Sequence, residues 1–163
     1  MKIPLTLNNN KIVLSADPSE SLLSVLRKEK IYSVKCGCQK GICGNCMVLM
    51  DNKAISSCII PIGLARGKKI LTLEQIMEEP VYEDIMTGFS QAGITLCGYC
   101  NAGKILTAYS ILTSYYRPTI EQIEDAISGL HCCCIDNTTL TNGILYAVAA
   151  KYTREGKKPN ARK

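Results

Sequence analysis

Eight of the ten cysteines fall into two groups of four whose spacing is typical of iron–sulfur ligation. The first group is a C-x4-C-x2-C run followed by a fourth cysteine: Cys38, Cys43, Cys46 and Cys58. The second is a C-G-Y-C run and, after a gap of 31 residues, a C-x-C run: Cys97, Cys100, Cys132 and Cys134. Four thiolates hold one 2Fe–2S cluster, two on each iron, because bridging sulfides fill the remaining positions. The two groups therefore predict two clusters and a short path for single electrons.

The first group is the more specific signal, because a C-x4-C-x2-C run with a distant fourth cysteine is the plant-type 2Fe–2S spacing. Gly37, Gly41 and Gly44 are interleaved with it, and glycines let backbone N–H groups approach the sulfurs of an anionic cluster. Cys36 stands two residues too early for the spacing and is interpreted as a free thiol beside the site. A zinc site also accepts four thiolates, but the x4 spacing and the lone fourth cysteine favour iron.

The second group is weaker by itself, because CxxC followed by CxC suits zinc as well as iron. Its place after a plant-type group favours a second iron–sulfur cluster. Cys97 and Cys100 precede a predicted helix, and Cys132 and Cys134 lie between two others, so helix N-termini would stabilise the cluster's negative charge. His131, the single histidine, is interpreted as an ordinary surface or core residue, with a hydrogen bond to cluster sulfur as the alternative. One histidine permits neither Rieske-type ligation nor a catalytic triad.

The elements that carry the first group read as two hairpins and a helix. Alternating apolar residues predict a strand at Ile3–Leu7, and 12–14 predicts its partner. A helix is predicted to begin at Asp17–Glu20, with Leu22, Leu23, Val25 and Leu26 on its inner side. The glycine-rich segment 36–46 should be a loop, and residues 47–60 a hairpin with Cys58 in its second strand.

The second half of the chain changes to a helical period beyond about residue 76. A first helix is predicted over 80–90, and a second that stops at Arg117-Pro118. Thr119 and Gln122 form a capping box for a third helix, and the apolar residues from Leu140 to Tyr152 mark a fourth. A sheet half followed by a helical half predicts two domains, residues 1–75 and 76–163.

The formal charge of +5 comes from the end of the chain. Residues 151–163 hold six basic side chains and one acidic one, and the rest has 13 of each sign. Since an oxidised four-thiolate cluster carries about −2, the loaded protein would be nearly neutral, and nucleic-acid binding is not predicted. The basic tail is interpreted as a solvated end, with a strap across a partner subunit as the alternative.

The cysteine content alone would also fit a secreted, disulfide-rich protein. Against this, the N-terminus lacks the apolar run of a signal peptide, and no segment approaches the roughly 18 apolar residues of a membrane span. The cysteines are also bunched in a way that suits ligation better than stapling. We therefore expect a reducing cytoplasm and no membrane association.

The order of the two motifs resembles the small iron–sulfur subunit of the molybdenum hydroxylases. This family includes xanthine dehydrogenases, aldehyde oxidoreductases, nicotinate dehydrogenases and aerobic carbon monoxide dehydrogenases. The likeness covers nearly the whole chain, including residues 37–46 and 65–74. It implies an α+β fold, in which an N-terminal β-grasp domain of the plant-type ferredoxin kind is followed by a C-terminal four-helix-bundle 2Fe–2S domain.

The resemblance also implies which partner each cluster faces. The quartet Cys38, Cys43, Cys46 and Cys58 would hold the cluster nearer an FAD-binding subunit. The quartet Cys97, Cys100, Cys132 and Cys134 would hold the cluster nearer the molybdopterin of a large subunit. Electrons would pass one at a time from molybdopterin to FAD, with no substrate chemistry on this chain. The complex would be a hetero-oligomer, for which a dimer of heterotrimers is one arrangement.

Three positions depart from the family pattern. Leu96 stands where the family has a glutamine that contacts the pterin, Cys133 where it has an arginine, and Ile135-Asp136 where it has Thr-Gly. Loss of the arginine charge beside an anionic cluster predicts a lower reduction potential. Three alternatives stay open: the same relay with a non-standard cofactor or another flavoprotein, a free-standing ferredoxin-like carrier, and a zinc-binding interaction module.

Overall fold

Residues 2–71 form a five-stranded mixed sheet that curves around one helix. The computed structural model describes residues 1–131 and 134–157. The strands are β1 (Lys2–Leu7), β2 (Asn10–Ser15), β3 (Met47–Met50), β4 (Lys53–Ser56) and β5 (Lys69–Leu71), in the order β2-β1-β5-β3-β4. β1 pairs in parallel with β5, and the other neighbours are antiparallel. Helix α1 (Leu22–Lys28) buries its apolar face against Ile3, Leu5 and Leu7, which confirms the predicted β-grasp arrangement.

Helix α1 begins later than the sequence predicts, at Leu22 instead of within 17–20. The carboxylate of Asp17 accepts a hydrogen bond from the Ser19 N–H at 2.8 Å, which forms a turn outside the helix. Ser21 provides the N-cap, and the Leu22 N–H donates to the carbonyl of Ile60 at 2.8 Å. The start of α1 is therefore bound to the segment that follows the Cys58 turn.

Cys58 does not lie in a strand, as predicted, but in a short 3₁₀ turn over Ser57–Ile59. β4 ends at Ser56, and the Ser57 N–H and hydroxyl both donate to the carbonyl of Cys46, at 3.1 and 2.7 Å. These two bonds turn the chain back toward the cysteine loop and bring the fourth cysteine beside the other three.

The helical half consists of a one-turn helix followed by the four predicted helices. The helices are α2 (Leu73–Ile76), α3 (Pro80–Gln91), α4 (Asn101–Ser114), α5 (Ile120–Ile127) and α6 (Asn137–Arg154). The capping box of Thr119 and Gln122 is present at the start of α5. α4 ends before Arg117-Pro118, because Tyr115 is already extended, with φ −120° and ψ 134°. In residues 1–131 and 134–157, no helix is both long and apolar enough to cross a bilayer.

One face of the sheet shares an apolar core with the helical half, and the other face forms a second core with α1. Met47, Leu49 and Leu71, on the sheet face turned away from α1, lie in the same buried cluster as the inner residues of α3 to α6. Helix α4 therefore packs directly on β3. Among the helices, α3 and α6 approach most closely at Gly88, where an added methyl carbon would lie 2.2 Å from the Ala147 nitrogen.

The basic C-terminal segment begins inside α6 and is anchored there. Arg154 contacts the buried carboxylate of Asp84 on α3, with Nη2 2.8 Å from Oδ2, and Lys151 donates to the carbonyl of Leu112 on α4. The predicted solvated end is thus wrong for residues 151–154, which belong to a packed helix. Residues 158–163 lie outside the described part of the chain.

Candidate iron–sulfur sites

The first cysteine group lies on the loop between α1 and β3 and on the turn after β4. Cys46 is buried, Cys38, Cys43 and Cys58 are half-buried, and Cys36 is exposed. None of the eight cysteines in the described residues lies in a disulfide. The predicted assignment of Cys36 as a thiol beside the site agrees with its position: it accepts a hydrogen bond from Gln39 Nε2 at 2.9 Å.

The four thiols of this group meet as two pairs. The Cys38 N–H donates to Cys43 Sγ at 3.4 Å, and the Cys38 and Cys43 thiols also share a hydrogen bond. The thiols of Cys46 and Cys58 form the second hydrogen-bonded pair, and Cys58 also interacts electrostatically with Cys38. Within the described residues, no three cysteine, histidine or acidic side chains converge as the ligands of a single ion would. Two thiolates for each of two irons is the donor set of a 2Fe–2S cluster.

Backbone N–H groups lower the pKa of the Cys38 thiol and so favour its role as a ligand. The N–H of Lys40 (3.3 Å from Cys38 Sγ), followed by those of Ile42 and Cys43, lowers the pKa of Cys38 to about 6. Burial, followed by the neighbouring Cys46, raises the pKa of Cys58 to about 11. Thiolates are the ligand form, so the lowered pKa of Cys38 favours ligation, whereas Cys58 needs the positive charge of iron to lose its proton.

Two further features fit an inorganic cluster in this loop. Asn45 is 1% exposed, and neither its Oδ1 nor its Nδ2 has a hydrogen-bond partner among the described residues. A methyl carbon added to Gly37 would lie 2.6 Å from that Nδ2 and 2.7 Å from Cys43 Sγ. A buried amide without a partner costs free energy, and sulfur atoms of a cluster would accept its N–H groups. Cys38, Cys43, Cys46 and Cys58 therefore fit a 2Fe–2S cluster.

The described cysteines of the second group, Cys97, Cys100 and Cys134, lie at the N-terminal ends of α4 and α6. Cys97 is exposed, and Cys100 is buried at the N-cap position of α4. The N–H of Tyr99, then a hydrogen bond with the Cys134 thiol and the N–H of Cys100, lower the pKa of Cys97 to about 7. Cys97 and Cys134 thus meet across the gap of the motif. Cys132 and Cys133 lie outside the described residues, so the structure does not place the fourth thiol.

The N-terminus of α6 carries an acidic cap close to this site. Asp136 is the N-cap, and it accepts the Thr139 N–H at 2.8 Å and the Thr139 hydroxyl at 2.7 Å. These bonds, the one from the hydroxyl first, lower the pKa of Asp136. The helix end that was predicted to stabilise an anionic cluster therefore carries a carboxylate two residues from Cys134. Leu96 and Ile135 are half-buried and pack against the helical core, and His131 is exposed.

The first cysteine loop contacts the first turn of α4, which follows the C-G-Y-C run, through backbone atoms. A methyl carbon added to Gly103, in the first turn of α4, would lie 2.6 Å from the carbonyl oxygen of Gly44. Gly44 lies between Cys43 and Cys46 and has a φ of 73°, which favours glycine. A second link runs from Lys35, whose ammonium donates to the carbonyl of Gly98 in the C-G-Y-C run. Nothing in the spacing of the motifs predicts these contacts.

A charged residue at the second site was also missed. Lys104 is buried in α4, and its Nζ donates to Cys100 Sγ at 2.9 Å. The available signal was positional: Lys104 follows Cys100 by four residues, and such pairs lie on one face of a helix. The apolar stripe of α4 predicts only the buried positions of residues such as Ile105 and Leu106.

Comparison with known proteins agrees with this architecture. Residues 5–68 match the family described as 2Fe-2S iron-sulfur cluster binding domain, and residues 72–149 match that described as [2Fe-2S] binding domain. The nicotinate dehydrogenase small FeS subunit of Eubacterium barkeri is 35% identical over 147 residues, which cover 90% of this chain and 94% of that protein.

Solved structures give the same result. A chain of quinoline 2-oxidoreductase from Pseudomonas putida 86 superposes with a TM-score of 0.79 at 29% identity, over 96% of this chain and 98% of that one. Aldehyde oxidoreductase from Desulfovibrio gigas superposes with a TM-score of 0.82 at 26% identity, over 98% of this chain and 18% of that one.

Fold, sites and domain matches define a protein with two 2Fe–2S-binding domains, the iron–sulfur part of an oxidoreductase. Its relatives narrow the class further. The chain belongs to the family of small iron–sulfur subunits of the molybdenum hydroxylases, which confirms the resemblance seen in the sequence.

Proposed function

We propose that this chain relays single electrons from a molybdopterin in a large partner subunit to an FAD in a second partner subunit. Cys97, Cys100, Cys132 and Cys134 would hold the cluster that receives the electrons, within residues 76–163. Cys38, Cys43, Cys46 and Cys58 would hold the cluster that passes them on, within residues 1–75. Each cluster, when bound, supplies a one-electron couple, and the protein supplies ligands, spacing and hydrogen bonds.

The observation that carries this proposal is the contact between the first cysteine loop and the start of α4. Gly44 lies inside the first ligand run, and Gly103 follows the proposed ligand Cys100 by three residues on α4. Since neither residue has a side chain, the two backbones meet without intervening atoms. Single-electron relay needs two sites that lie close together, and this contact supports such a pair.

Exposed apolar side chains beside each loop support docking to partner subunits. Ile42 and Ile59 flank the first site and are both about half exposed, and Tyr99 of the C-G-Y-C run is 61% exposed. Large apolar side chains at ligand loops suit surfaces that a partner covers, which would also keep water and oxygen from the clusters. Cysteines that serve as metal ligands and not as disulfide partners suit a reducing compartment such as the cytoplasm.

The decisive experiment is electron paramagnetic resonance of the native complex, purified anaerobically and reduced with dithionite. We expect two distinguishable 2Fe–2S signals, together with a flavin-containing chain and a large pterin-containing chain in the same preparation. A protein that purifies alone with both signals would favour the free-standing carrier. Zinc without iron would favour the interaction module, and a pterin-free complex would favour the relay with another cofactor.

A further inference from the structure

A lysine side chain is buried beside the second cysteine site. Lys104 is 1% exposed and lies one turn of α4 beyond Cys100. Its Nζ donates to Cys100 Sγ at 2.9 Å. Lysine is rarely this buried in proteins, because its ammonium loses hydration unless negative charge or acceptors lie close to it.

The position of the Lys104 charge is set by the helix that carries it. Cys100 is the N-cap of α4, and Lys104 follows it on the same helix, so the helix holds the ammonium against a proposed ligand. Because α4 also packs on the sheet, the position of this charge is fixed by the core.

A fixed buried cation favours the more negative of two redox states. An oxidised cluster with four thiolates carries about −2, and uptake of one electron makes it about −3. Coulombic stabilisation by an ammonium grows with that charge and is little screened by salt at a buried site. A hydrogen bond to a ligand sulfur acts in the same direction, since it stabilises negative charge on the sulfur.

We propose that Lys104 raises the reduction potential of the cluster in the second site by holding its ammonium against the sulfur of Cys100. This inference rests on the proposed function, because it requires a cluster in that site. It assigns to α4 a role in tuning the relay as well as in carrying a ligand. Lys104 thereby supplies, from the helix, a positive charge for a motif whose C-x-C run contains none.

The test is a potentiometric titration of the native complex, with dithionite as the reductant and both 2Fe–2S signals followed by electron paramagnetic resonance. Dithionite is oxidised as each site takes up one electron. For K104M we expect the equilibrium constant for reduction of the second site to fall at least tenfold, which is about 59 mV for a one-electron couple. The first site, which serves as the internal reference, should shift less than threefold.

Two further variants separate charge from hydrogen bonding. K104Q keeps an N–H donor without the charge and should shift the second site in the same direction, whereas K104R keeps the charge and should stay within threefold of wild type. K151M is the matched control, because it removes a half-buried ammonium that contacts the far end of α4. It should leave both potentials unchanged.

The inference is overturned if K104M retains the wild-type potential at the second site, or if K104R shifts as much as K104M. Should K104M lose the second signal, K104Q decides, and a K104Q potential equal to wild type overturns the inference. A wild-type complex without two 2Fe–2S signals would instead overturn the proposed function. The two failures are therefore distinguishable in one series of samples.

Discussion

Within the loop 36–46, the proposed ligand Cys38 and the nearby Cys36 have different surroundings. Cys36 and Cys38 are two residues apart, yet Cys36 is exposed and bonded only to the Gln39 amide among the contacts described, whereas Cys38 is paired with Cys43. The N–H groups that lower the pKa of Cys38 belong to the residues that follow it in the loop. These contacts favour Cys38 as a ligand and Cys36 as a thiol outside the site.

The pair offers a matched test of the ligand assignment. C38S should cost the complex two irons per chain and the first 2Fe–2S signal, because serine is a poor ligand for iron in place of a thiolate. C36S should retain both signals and the full iron content. Iron analysis and electron paramagnetic resonance of the two variants measure this directly. Equal losses of iron in C36S and C38S would contradict the assignment.

At this scale the sequence predicts the ligand residues but not their surroundings. Cysteine spacing is visible in one dimension, so the quartets can be identified without coordinates. Asn45 and Lys104 could not be found in this way, because burial of an amide or an ammonium depends on which elements pack over it. Cys58 was placed in a strand because nothing local indicates that Ser57 bonds the carbonyl of Cys46.

Among the elements, α4 connects the two halves of the molecule. Its inner side chains belong to the core that includes β3 and β5, its N-terminus carries Cys100, and Gly103 rests on the first cysteine loop. The helix therefore fixes the separation of the two sites through backbone contact, which is more rigid than contact through side chains.

Gly103→Ala should force this contact apart. An added methyl carbon would meet the Gly44 carbonyl oxygen at 2.6 Å, and such overpacking costs about 1–3 kcal/mol. We expect a lower denaturation midpoint and a weaker spin–spin interaction between the two reduced clusters, since that interaction falls steeply with distance. Gly129→Ala is the control, because its methyl group would have no neighbour within 4 Å. A G103A complex with wild-type stability and spin–spin interaction would show that the contact can relax.

Element boundaries were predicted well where signals are local and poorly where partners are distant. The Thr119–Gln122 capping box predicts the start of α5, and the alternation in β1 predicts a strand of the first hairpin; the structure confirms both. The start of α1 was misplaced because the backbone near Leu22 bonds Ile60, a residue far along the chain. Contacts between residues so far apart in the chain cannot be predicted from the sequence of one segment.

For the whole molecule, the placement of exposed apolar residues predicts where partners bind. Ile42 and Ile59 lie beside the first site and Tyr99 beside the second, while Val13, equally exposed at 61%, lies on β2 at the far edge of the sheet. We expect one partner subunit to cover Ile42 and Ile59 at the first cluster, and another to cover Tyr99 at the second.

Aspartate substitutions at these positions test that arrangement. I42D and I59D should each raise the dissociation constant for the flavin chain at least tenfold, and Y99D should do the same for the large chain. The reason is that a buried carboxylate without a partner opposes docking. V13D should leave the complex intact. Subunit composition by gel filtration, with iron content as a check on folding, gives the readout. Intact complexes from I42D, I59D and Y99D would place the interfaces elsewhere.

The parallel pairing of β1 with β5 has a consequence for biosynthesis. Thr6 aligns with Lys69 and Leu7 with Ile70, so β1 cannot complete its sheet until roughly sixty more residues have been synthesised. During that interval the loop with Cys38, Cys43 and Cys46 lacks the scaffold that shapes it, since joining such distant segments is slow. Iron and sulfide for the first site must therefore be delivered after β5 has been synthesised, and a scaffold protein that inserts them has to act after that point.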